Sequence, residues 1–308
     1  MFVQIVMATY NGAKFIRQQI DSIIAQSFTN WSLLVHDDGS IDDTVNIIKD
    51  YEQKDSRIKL LGDGLEFHNS TANFIHLLKN VDKTADYICL CDQDDIWNDN
   101  KLEILLSEMK QNDKNTEVPV CLSTDVSLID SEGKKYVDSF WQYAKVFAKS
   151  NFKTLILENT ATGCTMVFNR KTLDYIYSLS DSEILNIIQH DWYIALVCAA
   201  DGIYKQIEIS LVGYRQHNEN VVGARKTNLL EKINPKKCRA SLSRITELKK
   251  RIFQQLSVVE THINSVNCKK NAKDFRESKF VAHKLFITLN GFCKSKSISK
   301  ALIKLLCY

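Results

Sequence analysis

Residues 86–97 read DYICLCDQDDIW. The apolar run Tyr87–Cys91 stops abruptly at the four polar residues 92–95, and apolar character returns with Ile96 and Trp97. A short apolar run bounded in this way predicts a strand that is buried on both faces, as in a parallel sheet.

The polar residues after the strand include three carboxylates within four positions, Asp92, Asp94 and Asp95. Carboxylates this close repel one another, and a divalent cation among them relieves the repulsion. Open α/β sheets bind ligands at the carboxyl ends of their strands. The sequence therefore predicts a metal–phosphate site here. The alternative is an acidic turn before the next helix, with Asp99 as its N-cap.

The first 110 residues alternate between strand and helix patterns. Strands are predicted over Phe2–Met7, Trp31–His36, Ile58–Leu61 and Asp86–Cys91, with apolar residues at helical spacing between them. This alternation predicts an α/β fold with a parallel, doubly wound sheet flanked by helices. Polar clusters follow the first, second and fourth of these strands, so we expect them to lie along one edge of the sheet.

The middle and end of the chain are less regular. Further strands are predicted over Val118–Ile129, Thr162–Phe168, Ile203–Ile207 and Leu211–Arg215, and helices over Arg170–Leu179 and from His190 through Ala200. The last 80 or so residues show helical patterns in three places: the stripe Ile245, Leu248, Ile252, Leu256 and Val259, then Phe280–Phe292, then Ile298–Leu306.

Charge is unevenly distributed along the chain. The net charge is +3, yet residues 225–308 contain 20 Lys and Arg against 5 Asp and Glu, leaving 20 basic and 32 acidic residues elsewhere. This change predicts a domain over 1–225 followed by a basic helical extension over 226–308.

The cysteines and the apolar runs are typical of a cytosolic protein. The nine cysteines include no CxxC pair and several lie in apolar runs, which indicates reduced core thiols in a cytosolic protein. No signal peptide is expected, and no apolar run approaches the roughly 18 residues that cross a bilayer.

Four motifs in the first half resemble those of a known family. ATYNG (8–12), QSF (26–28), DDGSIDDT (37–44) and CDQDDIW (91–97) occur in the order and at the spacing of the nucleotide-sugar half of family 2 glycosyltransferases. That family has the GT-A fold, a Rossmann-like, mostly parallel sheet flanked by helices. The resemblance implies a nucleotide-sugar half over residues 1–110.

Three later motifs resemble the acceptor half of the same family, expected over residues 111–225. They are TGC (162–164), HDW (190–192) and RQH (215–217). HDW together with RQHNENVVG is most similar to bacterial rhamnosyltransferase-like members that build cell-surface polysaccharides. The whole resemblance covers about residues 2–223.

The resemblance implies roles for five residues at the donor end. Ala8 and Tyr10 would contact the nucleobase and ribose, with the Tyr10 ring offering a face for stacking. Asp38 would accept the pyrimidine N3–H, which favours a UDP or dTDP donor. Asp94 would bind Mg²⁺ or Mn²⁺, and Asp92 would bind ribose or metal. The alternatives are an ordinary strand-to-helix turn at Ala8 and Tyr10, and a solvated turn or cap at Asp38.

At the acceptor end, the resemblance makes Asp191 the general base. One carboxylate with a metal-held leaving group suffices for a single displacement with inversion. The alternative, compatible role is that Asp191 caps its helix. His190 stands where the family usually has a second acidic residue, so the neighbour that orients the base is open. His217 would contact the diphosphate or metal, Arg215 would contact phosphate, and Asn220–Gly223 would belong to a loop that orders over the donor. The alternative for His217 is a surface histidine.

These implications predict an inverting glycosyltransferase that uses a UDP- or dTDP-sugar, with dTDP-rhamnose a candidate donor. The acceptor would be a lipid-linked glycan in capsule or O-antigen synthesis. The QxxRW motif of processive synthases is absent from the sequence, so one sugar is expected per encounter. The basic extension would lie against anionic membrane lipid on the cytoplasmic face. It could instead be a solvated extension or a homodimer element, and no nucleic acid partner is expected.

Two other functions fit parts of the pattern. A sugar nucleotidyltransferase also uses strand-end carboxylates and Mg²⁺, but it should carry a glycine-rich, basic phosphate loop after its first strand, which ATYNG lacks. A non-catalytic membrane-docking protein on a degenerate transferase fold is the other alternative. The complete set of Asp38, Asp92, Asp94 and Asp191 counts against it.

Overall fold

The computed structural model describes residues 1–114, 117–144, 150–217 and 235–277. The expected loop at Asn220–Gly223 and the expected helices over Phe280–Phe292 and Ile298–Leu306 lie outside these residues. The strands are β1 (Val3–Thr9), β2 (Trp31–Asp37), β3 (Ile58–Leu60), β4 (Tyr87–Cys91), β5 (Ile96–Trp97), β6 (Val120–Ile129), β7 (Lys135–Val137), β8 (Val167–Asn169) and β9 (Ile203–Arg215).

The helices lie between and after these strands. They are α1 (Ile16–Ile24), α2 (Thr44–Lys54), α3 (Ser70–Lys79), α4 (Lys101–Asn112), α5 (Phe140–Ala144), α6 (Phe152–Leu157), α7 (Leu173–Tyr177), α8 (Asp181–Ile184), α9 (His190–Asp201), α10 (Pro235–His262) and α11 (Val266–Glu277). The predicted alternation of strand and helix over the first 110 residues is confirmed.

The described strands form one sheet in the order β3-β2-β1-β4-β8-β6-β9-β5, with β7 paired to β6. Strands β3, β2, β1 and β4 are parallel, as predicted for the first half. Beyond β4 the sheet is mixed, because β8 runs antiparallel to both β4 and β6, while β6 and β9 are parallel. The predicted α/β architecture with helical C-terminal segments is confirmed.

Successive residues of β1 point to opposite faces of the sheet. Ile5 and Met7 belong to a core cluster shared with α1, α2 and α4, whereas Val6 belongs to one shared with α3, α9, α10 and α11. This is the two-residue period of a strand with helices on both faces. The strands therefore read as continuous apolar runs.

The polar clusters predicted at one edge of the sheet do lie there. In the parallel register Met7 is opposite Cys91, and Thr9 is opposite Asp37. The residues that follow β1, β2 and β4 consequently leave the sheet side by side.

Two local predictions in the second half are wrong. A strand was predicted over Thr162–Phe168, but Gly163–Thr165 is a turn of 3₁₀ helix and the strand β8 begins only at Val167. The Thr165 N–H and hydroxyl both donate to the Thr162 carbonyl, which closes the turn. The two strands predicted over 203–207 and 211–215 are one strand, β9, with irregular register against Thr124 and Asp125 of β6.

The described part of the basic extension packs onto the domain before it. Leu256 and Val259 of α10, and Phe275 of α11, are buried in the same core cluster as α9. Asp201, at the end of α9, accepts a hydrogen bond from the Ser265 backbone N–H at 2.8 Å. No helix within the described ranges has the length and apolar character needed to cross a bilayer. Six free cysteines are described and five of them are buried, in agreement with the prediction of core thiols.

Gly202, between α9 and β9, allows a close approach of two backbone segments. A Cβ atom there would lie 1.9 Å from the Pro119 carbonyl oxygen, which also accepts the Ile203 N–H. We expect Gly202→Ala to lower the free energy of unfolding by about 1–3 kcal/mol, because the backbone has to move to admit the methyl group. Denaturant-induced unfolding measures this.

Gly62→Ala is the matched control, since a Cβ at that exposed glycine meets no atom within 4 Å. It should change the unfolding free energy by less than about 0.5 kcal/mol. Equal stability of the two variants would contradict the close packing at Gly202.

Candidate active site

The loop after β4 brings two of the predicted metal ligands together. Asp94 Oδ2 lies 2.7 Å from His217 Nε2, and both side chains are partly exposed. His217 follows β9, and its ring centroid lies 4.8 Å from that of Phe15. Residues 123 positions apart in sequence thus meet because β9 ends beside the loop after β4.

Arg215 holds this loop from within the protein. Its Nε donates to the Asp94 carbonyl at 2.7 Å, and its backbone N–H donates to Asp95 Oδ1 at 3.0 Å. The guanidinium also donates to the Ser131 carbonyl at 2.9 Å and to Gln18 Oε1 at 2.6 Å. The side chain is fully buried. These contacts indicate that Arg215 positions the loop. The phosphate contact expected from the sequence stays a prediction.

The charged forms of Asp92 and Asp95 are disfavoured in this loop. Burial, together with the nearby charges of Asp95, Asp94 and Asp191, holds the pKa of Asp92 well above its usual range. Burial and the charge of Asp94 also raise the pKa of Asp95. A divalent cation would offset this repulsion.

Carboxylates with an imidazole are a donor set that Mn²⁺ and Mg²⁺ accept. Asp92 and Asp95 also lie near the Cys164 thiol, with one ligand atom of each within 4.8 Å of the others. Burial raises the pKa of Cys164 well above its usual range. A thiol is also a poor ligand for Mn²⁺ or Mg²⁺, which prefer oxygen. Among the described residues, Asp92 and Asp95 beside Cys164 and the pair of Asp94 and His217 are thus two separate groups of candidate cation ligands.

A buried lysine lies under the carboxylates. Lys101 Nζ donates to the Cys164 carbonyl at 2.7 Å and lies 3.1 Å from the centroid of the Trp97 ring. Burial lowers its pKa to about 8, while the nearby Asp95 charge acts in the opposite direction. Its positive charge partly compensates Asp92 and Asp95. Nothing in the sequence pattern around Lys101 indicated this role.

Asp191 is the second residue of α9, and its carboxylate accepts three hydrogen bonds. Oδ1 accepts from Asn159 Nδ2 at 3.1 Å and from the Trp192 N–H at 2.6 Å, and Oδ2 accepts from the Gly163 N–H at 3.1 Å. Burial raises its pKa to about 6, against the lowering effect of these hydrogen bonds. Oδ2 keeps capacity for one more hydrogen bond. The 3₁₀ turn at Gly163 aims its N–H at this oxygen.

His190 does not orient Asp191. Its ring stacks on Phe74 with 4.0 Å between centroids, and neither ring nitrogen has a hydrogen-bond partner among the described residues. Burial lowers its pKa to about 3, so the ring is neutral. The groups that orient the carboxylate are Asn159 and the Gly163 backbone. Asn159 was not identified from the sequence.

At the opposite end of the site, Asp38 and Tyr10 have different surroundings. Asp38 is buried, and its carboxylate accepts the backbone N–H groups of Phe67, His68 and Asn69, the last two at 3.0 Å. Tyr10 is 53% exposed, so its ring is available for stacking. Ala8 is partly buried in β1, opposite His36.

Gln93 ties the loop after β1 to the loop after β4. Its side-chain amide accepts from the Tyr10 N–H at 3.0 Å and donates to the Tyr10 carbonyl at 2.9 Å. A Cβ atom on Gly12 would lie 2.2 Å from Gln93 Oε1, so the glycine leaves room for the amide. The glycine of ATYNG thus has a steric explanation that the motif alone did not supply.

Sequence comparison decides the family. The sequence model described as Glycosyl transferase family 2 matches residues 4–176, more than half of the chain. The dTDP-rhamnosyl transferase RfbG of Shigella flexneri is 32% identical over 225 residues, which cover 71% of this chain and 74% of that protein. This chain belongs to glycosyltransferase family 2. The family and the enzyme class predicted from the motifs are confirmed.

Other proteins are similar to parts of this transferase or share its fold. The UDP-Glc:alpha-D-GlcNAc-diphosphoundecaprenol beta-1,3-glucosyltransferase WfgD of Escherichia coli is 39% identical over 110 residues, 36% of this chain and 42% of that protein. The crystal structure of S. aureus TarS 1–349 with UDP-GlcNAc superposes with a TM-score of 0.57 at 13% identity, covering 99% of this chain and 80% of TarS.

The mannosyltransferase PcManGT from Pyrobaculum calidifontis, in complex with GDP-Man and Mn²⁺, superposes with a TM-score of 0.55. It is 14% identical, and the match covers 98% of this chain and 78% of that one. Both superpositions support the GT-A fold.

The proposed role of Asp191 as the general base predicts how the activity of this transferase depends on pH. A protonated carboxyl cannot accept a proton, so release of nucleoside diphosphate from the donor should fall roughly tenfold per pH unit below about pH 6 and level off above it. Asn159→Ala removes a donor that stabilises the ionised form. We therefore expect the acid limb of its rate profile to move up by about one pH unit.

Gln189→Ala is the control for this shift, because Gln189 Oε1 accepts from Asn159 Nδ2 at 3.2 Å without a described hydrogen bond to Asp191. Its acid limb should stay in place. An unchanged limb in Asn159→Ala would show that this contact does not set the protonation of Asp191.

Proposed function

We propose that this enzyme transfers one sugar, with inversion, from a UDP- or dTDP-sugar to a hydroxyl of a glycan acceptor in bacterial surface polysaccharide synthesis. The observation that carries the proposal is the Asp191 carboxylate, held by three N–H groups with its pKa raised to about 6, and near enough to raise the pKa of Asp92. The likeness to a dTDP-rhamnosyl transferase supports dTDP-rhamnose as a candidate donor.

The reaction follows from this arrangement. Asp191 Oδ2 takes the proton of the acceptor hydroxyl while that oxygen attacks C1 of the donor sugar. The bond from C1 to the diphosphate oxygen breaks on the opposite side, so the configuration inverts. The departing nucleoside diphosphate is already a stable anion, so the site needs no general acid.

Asp94, His217 and Asp92 are the residues that would hold a divalent cation. When bound, such an ion neutralises charge on the departing diphosphate. Arg215 would keep Asp94 in position by donating a hydrogen bond to the Asp94 backbone carbonyl. The positive charge of Lys101 would limit the repulsion between Asp92 and Asp95. Contact between Arg215 and phosphate remains part of the proposal.

Asp38 and Tyr10 would recognise the base. Asp38 Oδ1 accepts two backbone N–H groups and Oδ2 accepts one, so Oδ2 has capacity for the N3–H of uracil or thymine. The exposed Tyr10 ring would stack on that base, and Ala8 would line the pocket beside it. Guanine offers a different hydrogen-bonding edge, which favours a pyrimidine donor.

A lipid-linked acceptor would place the enzyme at the cytoplasmic face of a membrane. The name of WfgD specifies a diphosphoundecaprenol substrate for that relative. In this chain, residues 278–308 contain six lysines, at positions 279, 284, 294, 296, 300 and 304, and no Asp or Glu. Each basic residue near an anionic surface contributes about 1 kcal/mol of attraction.

Calorimetric titration with UDP, dTDP, GDP and CMP, each with and without Mn²⁺, tests the donor end. We expect metal-dependent binding of UDP or dTDP that Asp94→Ala weakens by roughly tenfold or more, since a charged ligand to the ion is lost. Binding of GDP alone would contradict the role of Asp38.

Asp191→Asn separates the base from the donor site. It should abolish transfer and leave nucleotide affinity within about twofold of the wild type, because the amide keeps the shape of the carboxylate but accepts no proton. Loss of binding and transfer together would refute the assignment of the base.

Truncation after Glu277 tests the membrane proposal without removing the buried residues of α10 and α11. We expect the truncated enzyme to keep its melting temperature and donor binding, and to lose sedimentation with vesicles rich in anionic lipid. Unchanged sedimentation would remove the membrane role. A change in mass by light scattering would indicate instead that the segment mediates dimer formation.

A further inference from the structure

A second cluster of metal-ligating side chains lies apart from the carboxylates after β4. It consists of His36 in β2, Asp63 in the loop after β3, and His76 in α3. His36 Nε2 lies 3.2 Å from Asp63 Oδ1, and His76 Nε2 lies 2.6 Å from Asp63 Oδ2. One ligand atom from each residue falls within 4.8 Å of the other two.

The hydrogen bonds of His36 do not explain why its Nε2 atom lies so close to the Asp63 carboxylate. Asn73 Nδ2 donates to the His36 carbonyl at 3.4 Å, which turns Asn73 Oδ1 toward His36 Nδ1 at 2.7 Å. An amide oxygen only accepts, so Nδ1 carries the ring hydrogen. In the neutral ring, Nε2 then has a lone pair that faces a carboxylate oxygen of Asp63. Two acceptors 3.2 Å apart require a positive group between them, which is either a proton or a metal ion.

We propose that His36 Nε2, His76 Nε2 and the Asp63 carboxylate bind a divalent transition-metal ion of the Zn²⁺ class. Two imidazoles and one carboxylate are a zinc ligand set that leaves a fourth position for water. Ligand atoms around zinc are about 3.3 Å apart. One ligand atom of each of the three residues already lies within 4.8 Å of the other two, so the side chains have to close in by about 1.5 Å or less.

The surroundings of the three residues match those of a metal site. Asn73 holds the other nitrogen of His36, as groups that orient metal-bound imidazoles do. His36 is 1% exposed, whereas the side chains of His76 and Asp63 are 18% and 28% exposed, so an ion can enter from solvent. The Phe67 ring covers both imidazoles, with centroids 5.8 and 5.0 Å away.

The site would fasten an exposed loop at its beginning. Asp38 already anchors the end of this loop through the N–H groups of residues 67–69. Residues 62–66 are exposed and include Gly62 and Gly64, the latter with a positive φ of 73°. An ion on Asp63 would tie the beginning of the loop to β2 and α3.

The ligand chemistry separates this site from the one at Asp94. Two imidazoles favour Zn²⁺, Co²⁺ or Ni²⁺, whereas the carboxylate-rich site suits Mn²⁺ and Mg²⁺. The proposal does not depend on sugar transfer, and it can be tested with the metal alone.

The test is titration of the full-length protein with Zn²⁺ against a chromophoric chelator. We expect one tight Zn²⁺ ion in the wild type, in Asp94→Ala and in His68→Gln. The last is a matched control, because His68 is a neighbouring histidine with a 72% exposed side chain. His76→Gln should weaken binding on the order of 100-fold, since loss of a group that merely orients a ligand already costs about 10–100-fold.

Hydrogen exchange locates the bound ion. Saturating Zn²⁺ should slow exchange of the amides of residues 62–69 in the wild type and leave it unchanged in His76→Gln. His76 is partly exposed, so its replacement should not prevent folding. Zn²⁺ affinity that survives His76→Gln, affinity that Asp94→Ala removes, or no Zn²⁺ binding at all would each overturn the proposal. In that case a proton, and not a metal ion, would lie between His36 Nε2 and Asp63 Oδ1.

Discussion

The repulsion among the carboxylates after β4 is the constraint around which this enzyme is arranged. Asp92, Asp94 and Asp95 lie within four positions of a loop, and burial disfavours the charged forms of Asp92 and Asp95. Two basic side chains compensate them from inside the protein, Arg215 at the end of β9 and Lys101 at the start of α4. Both are fully buried. Because Arg215 comes from the second half of the chain, the charge balance of the first half depends partly on the second.

Much of the fold could be predicted because it is encoded locally. The apolar runs of β1, β2 and β4 and the polar residues after them show which side chains share an edge. The turn at Gly163 could not be predicted, since the apolar spacing of the TGC region also fits a strand. What decides its shape is an N–H directed at Asp191, 28 positions away. Asn159 and Lys101 escaped notice because only tertiary contacts give them a role.

The change in charge near residue 225 does not coincide with a break in the hydrophobic core. The excess of lysine and arginine after Arg225 predicted a separate extension, yet Leu256, Val259 and Phe275 share a core with α9. Composition records which side chains face solvent, and a helix can be basic on its outer face while burying its inner one. The part of the extension that the structure describes is therefore integral to the fold.

The two hydrogen bonds between Gln93 and Tyr10 couple segments that would hold opposite ends of the donor. Tyr10 follows β1 at the proposed base site, and Gln93 stands between Asp92 and Asp94, the two aspartates proposed to lie nearest the diphosphate. Neither loop can shift without breaking both bonds or moving the other loop. The proposed base site and the proposed diphosphate site are thus mechanically linked, so occupation of one would restrain the loop that forms the other.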